Sequence, residues 1–159
     1  MLSAYYADLA SYTQDADRVD FSRLSYIVNK FPEGFTVWWI QARNRLYPAG
    51  YTGWYYVEES LFKGLQDDSV TNRFFLPAPA GTEYIYLFNY SLAPALNHTV
   101  YSRILMQDYG SVISNAPYKG LFCVTVSADG IRIAERFGMR PVGAIKTPDG
   151  LDRIYMLCK

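Results

Sequence analysis

Histidine and cysteine, the side chains most readily recruited for acid–base and nucleophilic chemistry, number one and two in this sequence. His98 is the single histidine, and an imidazole's ordinary pKa suits proton transfer near neutrality. It stands in a turn-like segment ahead of a helix, so helix capping is its other reading. A Ser-His-Asp or Cys-His system would have this one base and no partner motif around it. Cys123 (LFCVTV) and Cys158 (IYMLCK) lie in apolar stretches and read as buried small hydrophobes. Two cysteines are too few for a disulfide framework, and no His/Cys spacing matches a zinc site, so no metal is expected.

The unusual chemistry is aromatic: 15 Tyr, 9 Phe and 3 Trp in 159 residues. The rings cluster from Phe35 to Tyr56 and from Phe74 to Tyr90, which first indicates half-buried strands. Within them, Tyr47–Tyr56 (YPAGYTGWYY) reads either as core around a bent strand or as a stacking surface for a ligand. Lys+Arg and Asp+Glu balance at 15 each, which argues against a nucleic-acid partner tracking phosphates. Half the residues are hydrophobic and 19% charged, which excludes wholesale disorder. No apolar run approaches the roughly 20 residues of a membrane helix, and the first ten residues do not form a signal peptide. The expectation is a single soluble, cytoplasmic domain over residues 1–159, with no membrane partner. Exposed members of the Trp/Tyr cluster would suit a homodimer patch.

Several elements can be placed by periodicity and punctuation. Residues 1–14 are ambiguous. Asp20 caps a helix over Phe21–Phe31, whose stripe is Phe21, Leu24, Ile27, Val28 and Phe31. Phe35–Ala42 and Leu46–Trp54 read as strands, with Gly50 and Gly53 marking bends or close backbone approach. Val57–Gln66 reads as a short helix and Glu83–Leu92 as a strand. A helix from Asn97 follows, with Tyr101, Ile104, Leu105, Tyr109 and Val112 on one face. Leu121–Val126 has the continuous apolar content of a strand buried on both sides. Ser127 or Asp129 caps a helix over Gly130–Phe137 that stops at Gly138. Pro141–Lys146 and Arg153–Cys158 read as a hairpin around Pro148-Asp149-Gly150. The class is mixed α/β.

Two segments carry a family resemblance. Ala128–Gly143 (ADGIRIAERFGMRPVG) resembles the C-terminal motif of the GCN5-related N-acetyltransferases, in which a Glu-basic-apolar-Gly-aromatic helix end precedes a strand with a Val-Gly pair. Glu135-Arg136-Phe137-Gly138-Met139 matches it with Met139 for the usual Phe. Leu92–Met106 (LAPALNHTVYSRILM) falls where that family has a strand end, a Pro-containing turn and its coenzyme A loop. The resemblance implies a central, mostly antiparallel sheet with one parallel, splayed strand pair, flanked by helices. It also implies acyl-CoA, acetyl-CoA first, as co-substrate and an amine as acceptor. The loop departs from the family's glycine-rich form: Asn97, Val100 and Ser102 stand at its key positions, and Val100 brings a branched Cβ toward the phosphates. A tyrosine acid common in the last helix falls at Ala134.

The implied reaction is direct attack of an amine on the thioester. It needs a gap between Glu83–Leu92 and Leu121–Val126 for the pantetheine arm, and a backbone N–H near Tyr90–Leu92 for the carbonyl oxygen. It also needs a base. Glu83 is the first candidate base, with Glu58 and Glu59 behind it. Tyr90 and Tyr101 are candidates to return a proton to the thiolate. The cofactor candidates are Leu92, Asn97, His98, Thr99, Val100, Tyr101, Ser102 and Arg103. The alternative is a catalytically inactive domain of the same shape that binds a ligand or a protein.

Overall fold

The computed structural model describes residues 2–11, 19–79, 84–96, 99–147 and 150–158. Its elements are α1 (Leu2–Ser11), α2 (Phe21–Lys30), β1 (Phe35–Ala42), β2 (Arg45–Val57), α3 (Glu59–Gln66), β3 (Tyr84–Leu92), α4 (Val100–Asn115), β4 (Gly120–Thr125), α5 (Ala128–Arg136), β5 (Arg140–Thr147) and β6 (Gly150–Cys158). The six strands form one mixed sheet in the order β1-β2-β3-β4-β6-β5. Only β3 and β4 run parallel among the described pairings. The chain divides into two compact units, the first holding Met1–Gly53 with Asn89–Ser114, the second Trp54–Phe88 with Asn115–Lys159.

In the first unit, α2 begins where Asp20 accepts the amides of Ser22 and Arg23 at 2.9 and 3.1 Å. The Ser22 hydroxyl, first, and those amides hold the Asp20 carboxyl below the usual carboxylate range. Leu24, Ile27 and Phe31 are buried as the spacing predicts. Phe21 departs from the stripe: it is 40% exposed and meets the Tyr5 ring edge-on at 4.9 Å. Arg43 and Asn44, both at positive φ, turn β1 into β2. A bulge at Trp38/Trp39 shifts the β1–β2 register, and Trp38 faces Gly50. Gly50 is required there because a Cβ would lie 2.2 Å from the Ser91 carbonyl oxygen and 2.9 Å from Leu92 Cα.

The second unit packs around aromatic rings. Tyr86 meets Tyr55, Phe75 and Phe122 at centroid distances of 5.6, 5.3 and 5.2 Å, and Phe62 joins Phe122 at 4.8 Å. Each such pair contributes about 0.5–1.5 kcal/mol beyond its buried area. The parallel ladder runs from Tyr84↔Gly120 to Leu87↔Cys123, after which β3 continues to Leu92. The Ser127 hydroxyl accepts the Gly130 amide to cap α5, and Gly138 takes φ 76° after its end.

Some expectations are corrected. Helix α3 starts only at Glu59, because Val57 still belongs to β2. Helix α4 is described from Val100, not from Asn97, which lies outside the described residues. β4 stops at Thr125; Val126 is exposed, while Cys123 and Val124 are half-buried, so both faces are not fully covered. Cys158 is exposed at the end of β6 rather than buried. Cys123 is half-buried, and burial pushes its thiol up to about 12. The turn at Pro148-Asp149 lies outside the described residues. No helix among the described residues is long and apolar enough to cross a membrane.

Two outcomes follow from these contacts. Gly50→Ala should lower stability by about 1–3 kcal/mol or more in urea unfolding, because the clash is with backbone that has nowhere to move; an unchanged midpoint would contradict the close approach. A thiol-titrating disulfide reagent at pH 8 should react at once with Cys158 and with Cys123 only after denaturation, since thiolate is the reacting form. Two equally fast native thiols would show that Cys123 is open.

Candidate functional site

Some of the residues singled out for chemistry lie along the passage from β3 into α4, in the first unit. β3 ends at Leu92, buried beside Gly50. The Ala93 amide then donates to Ala49 O at 2.7 Å, and Pro94–Leu96 make a single 3-10 turn. Proline is suited to this turn because it ends the strand and needs no amide partner. Helix α4 starts at Val100.

Among the described residues, four hydrogen bonds fasten α4 to the strands. The Tyr90 hydroxyl donates to Ser102 O at 2.8 Å in the first turn. Further along, the Thr52 hydroxyl donates to Asp108 at 2.6 Å. The Tyr109 hydroxyl donates to Gly53 O at 2.8 Å and accepts the Gly53 amide at 3.4 Å. The Tyr90 and Tyr109 rings meet edge to face at 5.4 Å, so the two tyrosines brace each other.

Side chains at the first turn of α4 make local hydrogen bonds. Thr99 acts as the cap: its hydroxyl oxygen accepts the Tyr101 amide at 3.3 Å while donating to Leu96 O. The Ser102 hydroxyl donates back to Thr99 O at 2.7 Å. Val100 is 59% exposed, so its branched side chain stands at the surface of the turn. Arg103 is exposed and Tyr101 half-buried.

The candidates therefore separate. Tyr90, Leu92, Thr99, Val100, Tyr101, Ser102 and Arg103 lie together along this passage. Asn97, His98 and Glu83 lie outside the described residues. Glu58 is exposed before α3, and Glu59 pairs with Lys63 at 2.9 Å and Lys119 at 3.9 Å. The Lys63 ammonium, first, holds the Glu59 carboxyl below its usual range. Ala134 is buried, with its carbonyl taking the Met139 amide. From the Tyr47–Tyr56 stretch, Tyr51, Tyr55 and Tyr56 are core residues, while Tyr47 remains exposed.

Sequence reasoning missed a buried polar cluster in the same unit. The Asp8 carboxylate, fully buried, accepts the Tyr51 hydroxyl at 2.7 Å, the Val19 amide at 3.0 Å and the Asn89 side-chain amide at 3.5 Å. Asn89 also donates to the Tyr51 oxygen at 2.7 Å. These donors meet the hydrogen-bonding needs of a carboxylate removed from water. No spacing signal joins residues 81 positions apart, and Asp8 stands in the segment that periodicity leaves ambiguous. Among the described residues, no group of three or more His, Cys, Asp or Glu is placed to hold a metal ion.

No protein-family model and no curated protein matches the chain. Solved structures do. The GphF GNAT-like decarboxylase in complex with isobutyryl-CoA superposes with a TM-score of 0.72 at 14% identity, covering 98% of this chain and 93% of that one. The loading GNATL domain of CurA from Lyngbya majuscula gives 0.71 at 11% identity, over 99% and 92%. The ribosomal-protein-S18-alanine N-acetyltransferase from Escherichia coli gives 0.61 at 12% identity, over 99% and 86%. Together with the mixed sheet and its parallel β3–β4 pair, these likenesses show that the chain has the fold of the GCN5-related N-acetyltransferases.

Proposed function

We propose that this chain binds an acyl-CoA thioester, acetyl-CoA or a short branched homologue, and transfers the acyl group to an amine in a ternary complex. One observation supports the reading above the rest. A strand with a parallel partner passes through a Pro-containing turn directly into α4, in a fold whose solved examples include one holding isobutyryl-CoA.

In this reading the thioester lies at the end of β3, where a backbone N–H near Tyr90–Leu92 stabilises the oxygen as negative charge develops. The amine nitrogen attacks the carbonyl carbon, forming the C–N bond. The C–S bond then breaks and its electron pair leaves on sulfur. The proton lost by the nitrogen goes to a base, and the thiolate is returned to thiol by an acid. The base role is not given to Glu83, because it precedes Tyr84, and β3, at about 3.3 Å per residue, carries Tyr90 about 20 Å beyond Tyr84. Tyr90 already donates its proton to Ser102 O, so the acid role falls to Tyr101, which is half-buried on the first turn of α4.

A second reading, a ligand- or protein-binding domain without catalysis, draws on one observation: the last-helix position of the family's tyrosine acid is the buried Ala134. Calorimetry with acetyl-CoA and isobutyryl-CoA, followed by thiol release in the presence of a panel of primary amines, separates the readings. Transfer predicts heat of binding and amine-dependent thiol release. Binding with no release under any amine leaves the non-catalytic reading, and no binding at millimolar ligand removes the acyl-CoA assignment.

A further inference from the structure

Apolar side chains would fill the space around Asp8 at a smaller desolvation cost than a carboxylate does. What the buried carboxylate adds is direction, because each hydrogen bond fixes an angle as well as a distance. Asp8 joins α1 to two strands: it accepts the Tyr51 hydroxyl of β2 at 2.7 Å and the Asn89 side-chain amide of β3 at 3.5 Å. The Asn89 amide also donates to the Tyr51 oxygen at 2.7 Å, which closes a triangle of side chains at most 7% exposed.

That direction falls on the last residues of β3. Alternate residues of a strand face opposite ways, so Asn89 and Ser91 share one face and Tyr90 and Leu92 the other. On the first face Tyr51 holds both residues: its phenol oxygen takes the Asn89 amide, and its backbone carbonyl takes the Ser91 hydroxyl at 3.5 Å. On the second face the Tyr90 hydroxyl donates to Ser102 O at 2.8 Å. The ladder to β4 ends at Leu87, so the end of β3 is placed by β2 and by these contacts. Resting on the acyl-transfer reading above, we infer that Asp8, Tyr51 and Asn89 are positioning residues of the reaction. Their triangle holds the end of β3 so that the backbone N–H near Tyr90–Leu92 meets the thioester oxygen as charge develops on it. A donor that acts as charge develops supports kcat rather than substrate affinity, and a displacement of about 1 Å costs up to ~10²-fold.

The test measures kcat and KM for acetyl-CoA, with the primary amine that the wild-type protein acylates fastest. The variants are Tyr51→Phe, which keeps the ring, Asn89→Leu, which keeps the volume, and the two combined. Each is assayed at a temperature where its thermal transition shows it folded, and if either single variant does not fold the other carries the comparison. Each single variant should lose about tenfold in kcat with KM changed by less than about twofold. The combined variant should stay within about threefold of the slower single one, because both break the same triangle. Tyr155→Phe is the control: Tyr155 is 1% exposed and donates to Glu135 at 3.2 Å in the second unit. It removes a comparably buried hydroxyl bond and should leave kcat within about twofold. Amide hydrogen exchange over residues 88–92 should quicken in the Tyr51→Phe protein and not in the Tyr155→Phe protein. An unchanged kcat, a loss carried by KM, losses that multiply in the combined variant, an equal loss in Tyr155→Phe, or unchanged exchange over residues 88–92 overturns the inference and leaves acyl transfer standing. A wild-type protein that releases no thiol with any amine overturns acyl transfer and this inference with it.

Discussion

The first unit depends on a contact that only a residue without a side chain permits. Gly50 brings β2 against the backbone of Ser91 and Leu92, closer than any Cβ allows. The Ala93 amide then reaches Ala49 O, so β3 ends at a defined place and the chain turns at Pro94. Everything proposed about the site follows from where that strand stops. Helix α4 is next fastened at its first turn by Tyr90 and farther along by Thr52 and Gly53, through Asp108 and Tyr109. Backbone that is overdetermined in this way holds reacting groups in place better than a loop does.

Tyrosine has two uses in this protein. In the second unit its rings fill a core with Phe75 and Phe122 by edge and tilted contacts. In the first unit its hydroxyls do the fastening: Tyr51 to buried Asp8, Tyr90 to Ser102, Tyr109 to Gly53. A phenol is well suited to both tasks, since it buries a large apolar surface and still places a donor at its far end. The abundance of tyrosine is thus explained by packing and fastening before any role in catalysis is invoked.

The start of α4 is tied down locally as well as by the strands. In a glycine-rich turn an anion completes the hydrogen bonding of the helix start. Here Thr99 Oγ1 accepts one of those amides, that of Tyr101, and the Tyr90 hydroxyl donates to Ser102 O. Fold and site are separate matters, and the likeness to solved structures establishes the fold.

Local rules made much of the architecture readable in advance. Asp20 and Ser127 cap helices because a short side-chain oxygen reaches the first free amides, and Gly138 ends α5 because it adopts positive φ without strain. Gly50 was readable as a close approach, although not which backbone it approached. The Phe21 exposure, the exposed Cys158 and the late start of α3 were not legible, since apolar type and spacing do not reveal which neighbours arrive to cover them.

By itself the sequence determined the helix caps at Asp20 and Ser127, most strands and the mixed class, all of which depend on interactions within a few residues. Only the tertiary structure decided that Asp8, Tyr51 and Asn89 share a buried cluster, and that the Tyr90 hydroxyl donates to Ser102 O in the first turn of α4. Those contacts join residues far apart in the chain, and a hydrogen bond's partner is set by the packing that brings donor and acceptor together, which no local pattern records.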